Sequence, residues 1–213
     1  MQISRIEAGD ERRLQGLLGI YRASIEPSEQ KPPRVLNGML RDPRYAFLAL
    51  EQGDEVCGFA IVFVPATRDF WLLEFMAVDA AHRGEGFGEA LLGASAAYGG
   101  SLVPSAIGVL EVDEPGGLVS PGNDTVARLR FYARQGCRKV EGLRYILPLD
   151  VAGPPPPMQL LVLASADVRC LRKDQLRTWL VTLYVDVYGQ SPDDVRIDTM
   201  LSPLLDDVRL IDL

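Results

Sequence analysis

"WLLEFMAVDAAHRGEGFGEALL", residues 71–92, decides the fold. It opens as an apolar run of strand character that ends at Val78 and turns at Asp79. Three glycines, Gly84, Gly86 and Gly88, then occupy every second position behind Arg83, and a helical pattern begins at once. The first N–H groups of a helix have no intrahelical partner and carry about half a positive charge, so bare glycine backbone ahead of them lets phosphate oxygens approach. Arg83 adds a fixed cation beside this anion seat. Gly86 and Gly88 are the positions of closest approach. Two common phosphate loops are excluded by spacing: no Gly-Lys-Ser/Thr follows, and "GEGFG" is G-x-G-x-G, not the G-x-G-x-x-G of dinucleotide folds. The residues alone also allow a plainer reading, in which the glycines only permit tight packing of strand on helix.

Working outward, "QISRIEA" alternates as a short strand, and Leu14, Leu17, Leu18, Tyr21 and Ile25 then follow helical spacing. Three prolines make residues 26–33 a loop, and "VLNGML" predicts a short helix ending before Pro43. "YAFLALEQ", "VCGFAIVFVPA" and "DFWLLEFMAVD" are strands of an antiparallel meander. Beyond the glycines, Phe87, Leu91, Ala94 and Tyr98 continue a helix, "AIGVLEVD" reads as a buried strand, and "EPGGLVSPGND" as a loop whose Asn123 or Asp124 caps the next helix. That helix, "DTVARLRFYARQ", puts Val126, Leu129 and Ala133 on one side and ends at Gly136. "CRKVEGLRYILPL" resumes strand character, "GPPPP" is an extended connector, and "MQLLVLA" is a further strand candidate. From residue 166, Leu176, Trp179, Leu180, Leu183 and Val187 line one helix face, followed by a shorter capped helix in "SPDDVRIDTML". The expected division is a main domain over 1–165 and a helical extension over 166–213. Its apolar face calls for cover by the main domain or by a second subunit in a homodimer.

With 213 residues, 47% hydrophobic and 24% charged, the composition is that of an ordinary globular chain, not a disordered one. A net charge of -7 and a pI near 4.8 exclude an electrostatic grip on nucleic acid or anionic lipid and favour a cationic small substrate. Cys57, Cys137 and Cys170 are far apart and form no C-x-x-C pair, so they read as free thiols and support no structural zinc; no metal is expected. The N-terminus has no charged-then-apolar signal layout, and no run reaches the roughly 18 apolar residues of a membrane helix. A cytoplasmic protein is expected.

Residues 72–92 resemble the acyl-CoA-binding motif of the GNAT superfamily of N-acyltransferases, with Val78, Arg83, Gly86 and Gly88 in the matching places. The order strand, two helices, three strands, helix, strand, helix, two strands also matches that fold over about residues 1–165. The resemblance implies an α+β fold with a central, mostly antiparallel twisted sheet flanked by helices, here with a helical C-terminal extension. It implies acetyl-CoA as cofactor: the amides of Arg83, Gly84, Glu85, Gly86, Phe87 and Gly88 would hold the pyrophosphate. The backbone of Met76, Ala77 and Val78 would pair with the pantetheine arm, in a gap between splayed fourth and fifth strands. "RFYARQGC" is similar to the family's FY-x-x-x-GF segment, and Tyr132 corresponds to the tyrosine that protonates the departing thiolate. Two departures stand out. Thr125 replaces a frequent Asn seven residues before that tyrosine, as the candidate for the helix's cofactor contact, and Cys137 replaces the final Phe. On the residues alone, without the glycine motif, Phe131 and Tyr132 read first as packing of the helix onto the sheet.

Aminolysis of a thioester needs a neutral amine, hence a carboxylate to take its proton. Glu74 interrupts an apolar strand four residues before Val78, where some small-amine acetyltransferases of the superfamily carry a glutamate; alternation puts it on the side of Met76 and Val78. Glu111 holds the comparable place on the next strand. Either could instead be a solvated or arginine-paired glutamate. His82, next to Arg83, would sit at the wrong end of the cofactor to serve as base. For the acceptor, Glu26 and Glu29 lie in the loop that walls the site in this family, and Trp71 and Tyr145 could offer aromatic faces to a cation. The expected activity is acetyl transfer to a primary amine of a small cationic substrate by direct attack; the alternative is a silent acyl-CoA-binding sensor or interaction module.

Overall fold

A computed structural model describes residues 1–115, 125–149 and 157–213. The caps expected at Asn123 or Asp124 and the proline connector up to Pro156 lie outside these residues. The chain forms two compact units, Met1–Ala106 and Ile107–Leu213.

The first unit runs β1 (Gln2–Arg5), α1 (Glu11–Ser24), α2 (Pro33–Arg41), β2 (Tyr45–Gln52), β3 (Glu55–Phe63), β4 (Trp71–Val78), a 3-10 turn (Ala80–His82) and α3 (Phe87–Leu102). The four strands pair antiparallel in chain order, with Gly53 at φ 60° in the turn between β2 and β3. Asp10 caps α1 by accepting from the Arg13 N–H, and the helix buries Leu14, Leu17, Ile20 and Tyr21. Tyr21 sets its ring against Phe59 and edge-on to Phe75, so α1 covers the sheet face that carries those two residues. The opposite face takes α3. There, a side chain at Gly99 would collide with the indole of Trp71 and one at Gly58 would crowd Leu91, so both glycines are places of close approach.

The β3–β4 ladder contains one irregularity that matters for function. Ile61 pairs with Phe75 but Val62 pairs with Leu73, so Glu74 is an extra residue in β4, a β-bulge. The bulge breaks strict alternation. Glu74 therefore turns toward the α1 side, where Lys31 and Tyr45 meet it, and not to the side of Met76 and Val78 as alternation predicts.

The second unit runs β5 (Gly108–Asp113), α4 (Thr125–Arg134), β6 (Arg138–Val140), β7 (Tyr145–Ile146), β8 (Pro157–Leu163), β9 (Cys170–Arg172), α5 (Lys173–Thr182), a π turn (Leu183–Val187), α6 (Val195–Leu201) and β10 (Asp207–Asp212). Its ladder order is β5-β8-β6-β10-β9, antiparallel throughout, with β7 also on β8. Leu176, Trp179, Leu180, Leu183 and Val187 are buried along one helical face, as their spacing predicts. Three details differ from expectation. The strand predicted over 137–149 is divided by a turn at Gly142, φ 75°. Helix α4 buries Thr125 and Tyr132 and leaves Val126 and Ala133 exposed, because the aromatic phenol, not the small apolar side chains, faces inward. The segment after residue 166 is helical in α5 and α6 but also supplies β9 and β10.

Candidate active site

At the loop after β4, Asp79 accepts from the Ala81 N–H at 2.9 Å and shapes the 3-10 turn. Arg83 is extended, and Gly84 and Gly86 take left-handed φ values of 88° and 82°. Helix α3 then begins with no side-chain cap, so the amides of its first turn are left for another acceptor. Residues 83–86 are exposed, whereas Phe87 is buried with its ring stacked on His82. A side chain at Gly84 or Gly86 would meet nothing within 4 Å. Packing therefore does not call for glycine there; left-handed backbone and a clear approach do. An open, amide-lined helix start beside an arginine fits the diphosphate of coenzyme A.

On β4, burial falls from complete at Trp71, Leu72 and Leu73 to intermediate over residues 74–78. The Glu74 side chain keeps 2% of its surface, and Lys31 Nζ lies 2.8 Å from its Oε1. Burial pushes the Glu74 carboxyl above the ordinary carboxylate range, opposed by the Lys31 charge and by hydrogen bonds from Lys31 and Tyr45. Lys31 is itself placed by its backbone N–H, which donates to the Tyr21 hydroxyl at 2.8 Å. The result is a buried carboxyl with an attached ammonium.

In the second unit, the half-buried Glu111 accepts from two phenols: Tyr145 donates to Oε1, and Tyr188 to Oε2 at 2.6 Å. Tyr188 follows the π turn, whose widened winding also lets the Tyr184 hydroxyl donate to the Ile146 carbonyl at 2.5 Å. Tyr132 is buried in α4, edge-on to Phe131, and burial pushes its phenol up to about 12 against the pull of Arg128. Thr125, first residue of α4, is buried, and among the described residues its Oγ1 has no hydrogen-bond partner.

Residues 14–137 match the sequence model of the acetyltransferase (GNAT) family. The chain belongs to that family. As a GNAT acetyltransferase it is an acyl-CoA-dependent N-acyltransferase, and acetyl-CoA is its cosubstrate. No curated protein matches. Among solved structures, a protein from Bacteroides thetaiotaomicron assigned to the GNAT acetyltransferases is similar at TM-score 0.71 and 21% identity, covering 90% of this chain and all of that one. An aminoglycoside 6'-N-acetyltransferase complexed with coenzyme A is similar at TM-score 0.56 and 17% identity, over 77% of this chain and 97% of its own. The ribosomal-protein-S18-alanine N-acetyltransferase of Escherichia coli is similar at TM-score 0.56 and 19% identity, over 76% and 92%. Among the described residues, no helix is long and apolar enough to cross a membrane.

For the acceptor side of this GNAT chain, two expectations need correction. Trp71 is fully buried against α3 and donates its indole N–H to the Ala106 carbonyl at 3.3 Å, so it is a core residue and offers no face to a substrate. Tyr145 is likewise buried, with its hydroxyl committed to Glu111, so its ring offers no face to a substrate either. Glu26 and Glu29 stay half-buried in the loop between α1 and α2, and Glu29 lies near Tyr21. Cys57 and Cys137 are buried and Cys170 exposed, all with free thiols. Sequence reasoning missed Lys31 and Tyr188. The signals were present, a lone lysine inside "SEQKPP" and tyrosines four apart in "LYVDVYG", but neither names its partner.

Proposed function

We propose that this GNAT enzyme acetylates a primary amine of a small cationic substrate by direct attack on the thioester. The amides of residues 83–88 and the Arg83 guanidinium bind the diphosphate, the backbone of Met76, Ala77 and Val78 receives the pantetheine arm, and Thr125 adds a contact from α4. Glu74 takes the proton from the acceptor ammonium, which frees the nitrogen lone pair to form the new C–N bond as the C–S bond breaks. A carboxyl raised above its ordinary range by burial is a stronger base than a solvated one. The buried, Lys31-paired Glu74, two residues before Met76, is the observation that carries this reading.

Tyr132 serves the departing sulfur. With its phenol near 12 and a thiol near 8.5, complete proton transfer to the thiolate is uphill by about 5 kcal/mol. Tyr132 therefore acts as a hydrogen-bond donor to the developing thiolate, and solvent completes its protonation. Glu111, held between two phenols, is the second carboxylate of the mechanism. The acidic chain supports a cationic acceptor, as does the similarity to enzymes whose substrates are aminoglycosides.

An amine panel with acetyl-CoA, read by release of free thiol, tests the reading. Release above background with di- and polyamines, lost in Glu74→Gln with coenzyme A binding intact, is the expected result. No stimulation by any amine removes it and leaves an acyl-CoA-binding module.

A further inference from the structure

Three side chains of different donor chemistry meet at the foot of the phosphate loop. One ligand atom from each of Glu55, Cys57 and His82 lies within 4.8 Å of the other two. The fold accounts for the meeting. Glu55 and Cys57 stand two apart at the start of β3, so they share a face. The Asp79 N–H donates to the Cys57 carbonyl at 2.8 Å and returns the chain beside β3 after β4 has ended. The 3-10 turn then carries His82 over the thiol.

We propose that Glu55, Cys57 and His82 form a binding site for a thiophilic divalent cation, with zinc the ion whose ligand preferences the set matches. Zinc takes thiolate, imidazole and carboxylate at about 2.0–2.3 Å in a tetrahedron, which puts ligand atoms about 3.3–3.7 Å apart. Closing from a spread of at most 4.8 Å to that spacing takes about 1 Å of side-chain movement, on the scale of a small rotation. The imidazole is already oriented. Its Nδ1 faces Glu85 Oε1 at 3.4 Å and its ring is stacked on Phe87, which leaves Nε2 for the ion. A carboxylate on the far nitrogen is the usual outer support of a metal-bound histidine.

The local charge also asks for a cation. The carboxylates of Glu55, Glu85 and Asp79 all stand near the Cys57 thiol. A divalent ion bound as the thiolate complex releases the thiol proton to solvent and offsets these carboxylates, and it ties β3 to the turn that leads into residues 83–88.

Metal-stripped protein titrated with Co²⁺ tests the site, with Zn²⁺ affinity read by competition against a chromophoric chelator. One equivalent should bind with a near-ultraviolet thiolate-to-cobalt absorption that Zn²⁺ bleaches. Cys57→Ser should abolish the absorption, Cys170→Ser should retain it, and Glu85→Gln should weaken Zn²⁺ binding by about 10–100-fold. His82→Ala, which removes a ligand outside the core, provides the same loss if Cys57→Ser does not fold. The site is overturned if the wild-type protein shows no saturable binding, or if binding with the thiolate absorption survives in His82→Ala or in Cys57→Ser.

Discussion

Lys31 Nζ lies 2.8 Å from Glu74 Oε1, and the two side chains keep only 15% and 2% of their surface. The loop between α1 and α2 thus delivers a cation to the bulge of β4. Removing one partner of a buried pair strands the other charge, so Lys31→Met should destabilise the protein by about 3–5 kcal/mol at neutral pH. The Glu74 carboxyl lies above its ordinary value, so the native state binds more protons than the unfolded chain, and stability falls as pH rises through the native titration. Without Lys31 the carboxyl rises further. The penalty in Lys31→Met should shrink steadily as pH is lowered, measured by urea unfolding at several pH values; a pH-independent penalty contradicts the pairing.

Gly86 at φ 82° supports a second expectation. A left-handed alanine costs about 1–2 kcal/mol, and no neighbour resists its methyl group, so Gly86→Ala should fold with a modestly lower Tm. That methyl stands where the diphosphate approaches. Calorimetry should show coenzyme A affinity at least about tenfold weaker, more than the stability loss alone conveys. Unchanged affinity places the diphosphate elsewhere.

Tyr132→Phe removes only a hydroxyl from a well-packed site. A drop in kcat of about a hundredfold with little change in KM for acetyl-CoA is expected. Because burial holds the phenol near 12, it does not titrate between about pH 6 and 10, and the pH profile of the variant should keep the wild-type shape over that range. A lost alkaline limb contradicts this.

Tyr188 reaches Glu111 from outside the region matched by the family model. A hydrogen bond to a charged carboxylate is worth about 1.5–3 kcal/mol, so Tyr188→Phe and Glu111→Leu should each destabilise, and their double-mutant cycle should show coupling of that order. Additive effects refute the contact.

The sequence made the fold readable wherever burial has a period. Alternation marked β1, apolar runs between turn formers marked β2 to β5, and the stripe from Leu176 to Val187 marked the last long helical face. Glycine with a turn marked the phosphate loop. What stayed hidden depends on partners far along the chain. One extra residue in a ladder leaves apolar alternation nearly intact, so the bulge that turns Glu74 toward Lys31 has no local signature. "CLR" and "DVRLID" are too short and too charged to read as strands until they are seen pairing with each other and with β6. Trp71 was legible as an aromatic on a strand, but its face was fixed only by the absent side chain of Gly99 on α3. Cys57 and His82 come together only because β4 folds back.

The pairing of β6 with β10 joins Arg138, Lys139 and Val140 to residues some seventy positions later. At a synthesis rate of about 5–20 residues per second, β6 waits roughly 3–14 s with one edge bare before its neighbour has even been made. A three-residue strand carrying Arg138 and Lys139 is a poor template for wrong partners during that interval, so its shortness and charge guard the nascent chain.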